Sequence, residues 1–346
     1  MESKRAPLPR GRAAVRESMT STRAAWVIAG GLAVLLVGAF FFVQAALGRF
    51  PFGRPGDPTD ARIALVHCLL ISYLIGAFLY VRAGAREAIA SLAPHLELPD
   101  PALNDALRQV GRYPRSALAV LLLLGLLFSL AGPFLTGPAS LRDWHPGHWS
   151  AEVAWHRVLG LGIGWGINWM AFAVVIESMR MSRLASSLKP ISLWDARPLR
   201  PFTRQGQHNA LVAVGLVSVF ALFVPAQGIT NAFLVVLAVA LVLALLGFLL
   251  PLRGVHGMIH KAKQRELDWA VQVLEEERAR FQQPSSRHGR LADIIAYRTA
   301  VEQVREWPFD QSSVLRIVLY LLVPIASWLI SNLAAELLER MVFRRG

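Results

Sequence analysis

Residues 209–252 read NALVAVGLVSVFALFVPAQGITNAFLVVLAVALVLALLGFLLPL, 44 positions without one charged side chain. An α-helix rises about 1.5 Å per residue, so about 20 residues cross the roughly 30 Å of bilayer hydrocarbon. A run of 44 is too long for one crossing. Pro225-Ala226-Gln227-Gly228 is a turn signal inside it, and it divides the run into 209–224 and 229–252, a tight helical hairpin in lipid.

The same texture recurs at 24–47, 63–81, 116–135, 158–176 and 314–338, which makes seven apolar runs. Of the 346 residues, 54% are hydrophobic and 17% are charged, and mean hydropathy is +0.44. Soluble domains carry about 25% charge, and fewer charges could not cover a fold of this size. The expected fold class is all-α, a polytopic membrane protein with seven transmembrane helices. The first run exceeds the 7–15 apolar residues usual for a signal peptide and follows a long leader, so it reads as an uncleaved helix despite Val43-Gln44-Ala45.

The net charge of +13 is informative through its placement. Segments 1–23, 82–115, 178–208 and 253–316 hold 28 of the 36 basic residues, and the opposite segments hold 8. Lys and Arg resist translocation, so the amino terminus is expected in the cytoplasm and the carboxyl terminus outside. That is not the arrangement of G-protein-coupled receptors. Because the cations flank membrane runs, no nucleic-acid partner is expected. Arginine supplies 32 of the 36, which with the Ala, Leu and Gly content suggests a GC-rich bacterial genome and an inner-membrane location. Cys68 is the single cysteine, so no intramolecular disulfide can form.

Four regions follow: a basic cytoplasmic tail at 1–23, a six-helix membrane bundle at 24–252, a cytoplasmic helical hairpin at 253–312, and a final transmembrane helix with a short outer tail at 313–346. Within the second, 100–111 reads as a cytoplasmic helix, capped by Asp100, opened by Pro101 and stopped by Gly111. In the hairpin, 257–281 carries Ile259, Leu267, Val271 and Leu274 on a charged helix, and 289–307 carries Leu291, Ile294, Ile295, Val301, Val304 and Trp307. Gln283-Pro284-Ser285-Ser286 separates them. This amphipathic pair is the expected surface for a cytoplasmic protein partner. Arg253-Gly254-Val255-His256 and Glu306-Trp307-Pro308-Phe309-Asp310 stand out as motif-like segments with no assignable chemistry.

In the last run Tyr320, Pro324, Ser327 and Ser331 share one helical stripe, bordered by Asn332. A polar stripe in lipid must pack against protein or line a pathway, and Pro324 also frees a carbonyl. In the fourth run Gly160/Gly164 and Gly162/Gly166 are small-xxx-small pairs for close helix packing, and Asn168 is polar at depth. The outer loop places His148, Glu152 and His156 at i, i+4 and i+8, near His145. That spacing suits a zinc-like ion, but Trp144, Trp149 and Trp155 mark an interfacial belt, and no metal ligand is assigned.

No HExxH, GxSxG, Walker loop or GxGxxG occurs. Glu275-Glu276 with Arg280 repeats the EExxxR spacing of CAAX-type membrane proteases, but in a charged helix outside the apolar runs. No catalytic residue and no cofactor are expected. Seven spans, a cytoplasmic amino terminus and a polar last helix resemble the layout of insect chemoreceptor channels in topology alone. The expected function is a channel-like or transport protein in the bilayer, homo-oligomeric, with the Tyr320–Ser331 stripe near its pathway. The alternative is a scaffold or sensor acting through the hairpin.

Overall fold

The computed structural model describes residues 10–46, 58–136, 147, 149, 151–190, 192–222, 231–281, 290–309 and 311–343. Among them the chain is helical with no strand: α1 (Arg10–Ala46), α2 (Pro58–Leu92), α3 (Asp100–Gln109), α4 (Arg115–Thr136), α5 (Ala151–Leu184), α6 (Arg200–Ala221), α7 (Asn231–Phe281), α8 (Arg290–Glu302) and α9 (Gln311–Phe343). The core is made by α2, α5, α6 and α7, whose inner faces bury Leu70, Val81, Met170, Met181, Phe202 and Leu252. Around it, α1 lies on α2, α4 on α5 and α9 on α6. The outward faces of these flanking helices are apolar, with Val34 75% and Ile330 65% exposed, a surface that calls for lipid rather than water.

Among the described residues, four stretches are long and apolar enough to cross a membrane: Thr22–Ala46, Ile63–His95, Val153–Ser187 and Leu237–Ala279. Shorter apolar stretches occupy Arg115–Leu127 in α4 and Val318–Leu333 in α9. The physical reason α6 falls outside this set is its first turns, which carry Arg200, Arg204, Gln205, His208 and Asn209 before the apolar residues begin. It is buried in protein rather than presented to lipid, with Phe202, Val212, Ala213 and Leu216 all inside.

Close packing follows the small residues. Gly162 and Gly166 face α2, where an added Cβ would meet Ile71 and Leu74, whereas Gly160 faces open space. At Gly206 a Cβ would lie 2.7 Å from the carbonyl oxygen of Phe248, so only glycine lets α6 and α7 approach this closely. The amphipathic helix after α2 forms as α3, but its cap is Pro99, and Asp100 sits in its first turn. Gly111 ends the segment with φ +76°, a conformation that favours glycine.

One helix is longer than its sequence pattern suggested. The sixth apolar run and the first arm of the hairpin are continuous in α7, 51 residues and about 76 Å, running through Pro251. The expected boundary at 252/253 therefore lies inside a helix. Helix α8 packs back along α7, burying Ile294 and Val301, with Tyr297 against Glu266 and Glu302 against Lys263, so the antiparallel amphipathic pair is present.

The ends of α2 and α5 resemble each other. Leu92-Ala93-Pro94-His95-Leu96 and Leu184-Ala185-Ser186-Ser187-Leu188 each close with a 3-10 turn. They meet in an antiparallel bridge between Leu96 and Leu188. Glu97 N donates to Ser187 O at 2.7 Å and Lys189 N to His95 O at 2.9 Å, a local two-fold arrangement. Both chains thus leave the bundle at the same level, which becomes the rim of a cavity.

Candidate functional site

At the arginine-rich end of the bundle lies a cavity of about 2410 Å³. Its walls are the last turns of α2 and α5, the segment 188–199, the first turns of α6, residues 250–266 of α7, the segment 303–309 and the start of α9. Among the described residues, ten Lys or Arg side chains line it against four carboxylates. Arg183, Arg200, Arg253, Lys261, Arg305 and Arg316 are exposed.

The local structure explains how these walls hold. Segment 188–199 turns on Asp195, whose carboxylate accepts from the backbone N–H of Arg197 at 3.1 Å and from its guanidinium at 2.8 and 2.9 Å. Those hydrogen bonds hold its carboxyl down to about 2. Pro198 opens the 3-10 turn Arg197–Leu199, and Pro201 then starts α6, where a missing N–H costs nothing. Arg204 pairs at 2.7 Å with Glu87, a buried carboxylate on α2. Thr203 Oγ1 donates to Pro308 O at 2.8 Å, which straps segment 303–309 across α6.

The two motif-like segments of the sequence meet at this strap. His256 stacks on Trp307 with centroids 4.3 Å apart and planes 10° apart, and its Nδ1 lies 3.2 Å from Glu306 O. Glu306 contacts His260 at 3.1 Å and Lys263 at 3.6 Å, and the His260 hydrogen bond holds its carboxyl below the usual range. Farther along the hairpin Tyr297 donates to Glu266 at 2.9 Å, which pushes its hydroxyl up, and packs edge-on against Trp194 and Trp269.

Below the cavity a polar seam crosses three helices. Asn209 on α6 donates to Ser178 Oγ on α5 at 2.9 Å and to Gly247 O on α7 at 3.2 Å, and accepts from Gln205 Nε2 at 3.0 Å. Beside it Glu177, also buried, accepts from Gly111 N at 2.9 Å, from Arg180 at 2.8 Å and from the Tyr113 hydroxyl at 3.3 Å. Arg180 in turn donates to the carbonyls of Gln109 and Arg112 at 2.6 and 2.8 Å, so one ion pair closes the carboxyl end of α3 onto α5. Burial and the adjacent Glu177 raise the Tyr113 hydroxyl. The Glu177–Arg180 ion pair thus acts as a clamp between elements.

The residues singled out as pathway or packing candidates lie elsewhere. Asn168 donates to Gly164 O at 2.8 Å, Ser327 to Val323 O at 2.9 Å and Asn332 to Trp328 O at 3.0 Å, each within its own helix. Pro324 is buried, Tyr320 and Ser331 are half-buried, and none of the six borders the cavity. His145, His148 and the Glu152 side chain lie outside the described residues. His156 stands beside His67, with rings 5.1 Å apart. Among the described residues no group of three His, Cys, Asp or Glu is placed to hold a metal.

Glu87, Arg204, Gln205 and His208 carry the polar chemistry of the cavity, and sequence reading passed over them. Their signal was the mixture itself: 200–208 carries Arg, Gln and His immediately before an apolar run. Against known proteins, the chain matches no family model, no curated protein and no solved structure.

Proposed function

We propose that the chain crosses a bacterial inner membrane seven times, through α1, α2, α4, α5, α6, α7 and α9, with the amino terminus in the cytoplasm and the carboxyl terminus outside. In this reading it is an anion transport or channel-like protein whose basic cavity is the cytoplasmic vestibule. The observation that carries it is the cavity, about 2410 Å³ lined by ten cations and four carboxylates. A concave site with an excess of one sign of charge concentrates counter-ions and steers them inward. The order of the helices agrees with the seven apolar runs, and 28 of 36 basic residues lie on the side assigned to the cytoplasm.

Reconstitution into liposomes tests the reading. Chloride and inorganic phosphate efflux under an imposed gradient is expected to exceed that of protein-free vesicles, and efflux equal to that background would overturn it. The Tyr320–Ser331 stripe then serves packing of α9 on α6. A homo-oligomer remains part of the proposal, to be read by cross-linking in the membrane.

A second reading has one observation in its favour. On the α7–α8 pair, Trp269 and Ile295 are about half exposed, which suits a scaffold or sensor that docks a cytoplasmic protein. Deleting 257–305 is expected to abolish partner capture and leave membrane insertion intact. An unchanged set of partners would count against it.

A further inference from the structure

The vestibule's cations say little alone, because Lys and Arg gather on the cytoplasmic side of membrane proteins generally. Its floor says more. Gln205 is 1% exposed, and its Oε1 is buried with no hydrogen-bond partner, as is Nδ1 of His208; both side chains line the cavity. The orientation of Gln205 is dictated by its neighbours. Asn209 commits its amide group to Ser178 Oγ and Gly247 O, so its Oδ1 must accept from Gln205 Nε2, and Gln205 Oε1 is left over. A buried acceptor without a donor is costly to a fold, and a ligand that brings the donor removes that cost.

The walls ask for the opposite chemistry. Of the four carboxylates, Glu87 is held by Arg204 at 2.7 Å and Asp195 by Arg197 at 2.8 Å. Among the described residues no carboxylate lies within ion-pair distance of Arg183, Arg253, Arg305 or Arg316. Eight of the ten lining cations are arginines, whose planar forks match oxyanions. One carboxylate would occupy one fork, whereas a phosphate monoester offers three oxygens to several. At about 2410 Å³ the cavity exceeds the roughly 300–1,000 Å³ of a site for a drug-sized molecule, so a headgroup or a soluble ester fits with room to spare.

We propose that the cavity binds a phosphate monoester that also carries hydroxyl groups, with its phosphate among the arginines and one hydroxyl donating to Gln205 Oε1. This rests on the reading of the cavity as a vestibule open to the cytoplasm. The ester comes either from solution or from a lipid headgroup, and the recognition chemistry is the same.

The purified full chain tests it. In detergent, calorimetry is expected to give glucose 6-phosphate an affinity about tenfold above that of inorganic phosphate, the worth of one added hydrogen bond. Arg183→Ala with Arg253→Ala weakens both about tenfold or more. A Cβ at Gly84 would lie 3.1 Å from Gln205 Oε1 and 3.3 Å from His208 Nδ1, so Gly84→Ala crowds the floor without touching a cation. It is expected to erase the advantage of glucose 6-phosphate and leave inorganic phosphate unchanged; Gln205→Met reads the same loss if Gly84→Ala does not fold. In nanodiscs, a rise in unfolding temperature on adding phosphatidylinositol 4-phosphate, absent in the double arginine variant, assigns the lipid source when glucose 6-phosphate does not bind. Absence of binding by both probes, or binding indifferent to the arginine pair, overturns the proposal, and equal affinity for the two soluble phosphates overturns its hydroxyl contact. Binding without anion efflux leaves this inference standing and removes transport.

Discussion

Two sets of polar side chains sit among apolar helices in this chain, and they do opposite things. The seam at the arginine-rich end joins elements: Asn209 links α6 to α5 and α7, and Glu177 with Arg180 closes α3 onto α5. On α9, by contrast, Ser327 and Asn332 donate to carbonyls one turn back in their own helix. A polar group in an apolar surrounding must find a partner, and the nearest is the preceding turn. A side chain that reaches past that turn to another helix is the one that reports architecture.

The contrast ranks the effects of substitution. Arg180→Ala leaves the buried Glu177 carboxylate without its counter-charge, and is expected to lower unfolding free energy in detergent by about 3 kcal/mol. A loss below about 0.5 kcal/mol, the level of a surface pair, would mean the clamp carries no load. Asn209→Ala strands Gln205 Nε2 and Ser178 Oγ in the core and is expected to cost about 2 kcal/mol in the same denaturation assay. On α9 the expectation is small: Ser327→Ala and Asn332→Ala should each change stability by about 0.6 kcal/mol or less. A cost as large as that of Asn209→Ala would break the comparison, since it would place α9 contacts on the same footing as the seam.

Asp195 sharpens it from the solvated side. Its folded pKa is lowered to about 2 from 3.8, so its contribution is complete above about pH 4 and is lost as pH falls through about 2. Amide exchange at 192–199 is expected to stay slow from pH 7 to pH 4, after correction for the intrinsic rate, and to quicken below that. Asp195→Asn should remove the transition, and a transition centred near pH 4 or above would show that the turn does not depend on the Arg197 pair.

Much of the fold was legible because lipid imposes a simple rule: blocks of about 20 apolar residues become helices, and the 209–252 block is shared between α6 and α7, with Pro225-Ala226-Gln227-Gly228 itself outside the described residues. The amphipathic pair after the sixth run was legible for the same reason, since a helical period of apolar residues needs a neighbour. The continuity of α7 was not, because Leu252 and Arg253 mark a change of solvent and not a change of backbone. Nor was the pairing of Leu92–Leu96 with Leu184–Leu188, since the two pentapeptides share only their Leu-Ala start and final Leu. The cavity escaped for a deeper reason. Its cations read as topogenic charge, and its floor residues Gln205 and His208 gain meaning only when Gly84 of another helix is brought against them.

The claim at the centre is that the polar chemistry of this protein works at the arginine-rich cavity and not along α9. Anion efflux from proteoliposomes holding Arg183→Ala with Arg253→Ala, set beside Ser327→Ala with Ser331→Ala, measures it directly. The account predicts that the arginine pair cuts chloride and phosphate efflux about tenfold or more, by removing the field that gathers anions, while the serine pair leaves it unchanged. Efflux retained by the arginine variant and lost in the serine variant would contradict it.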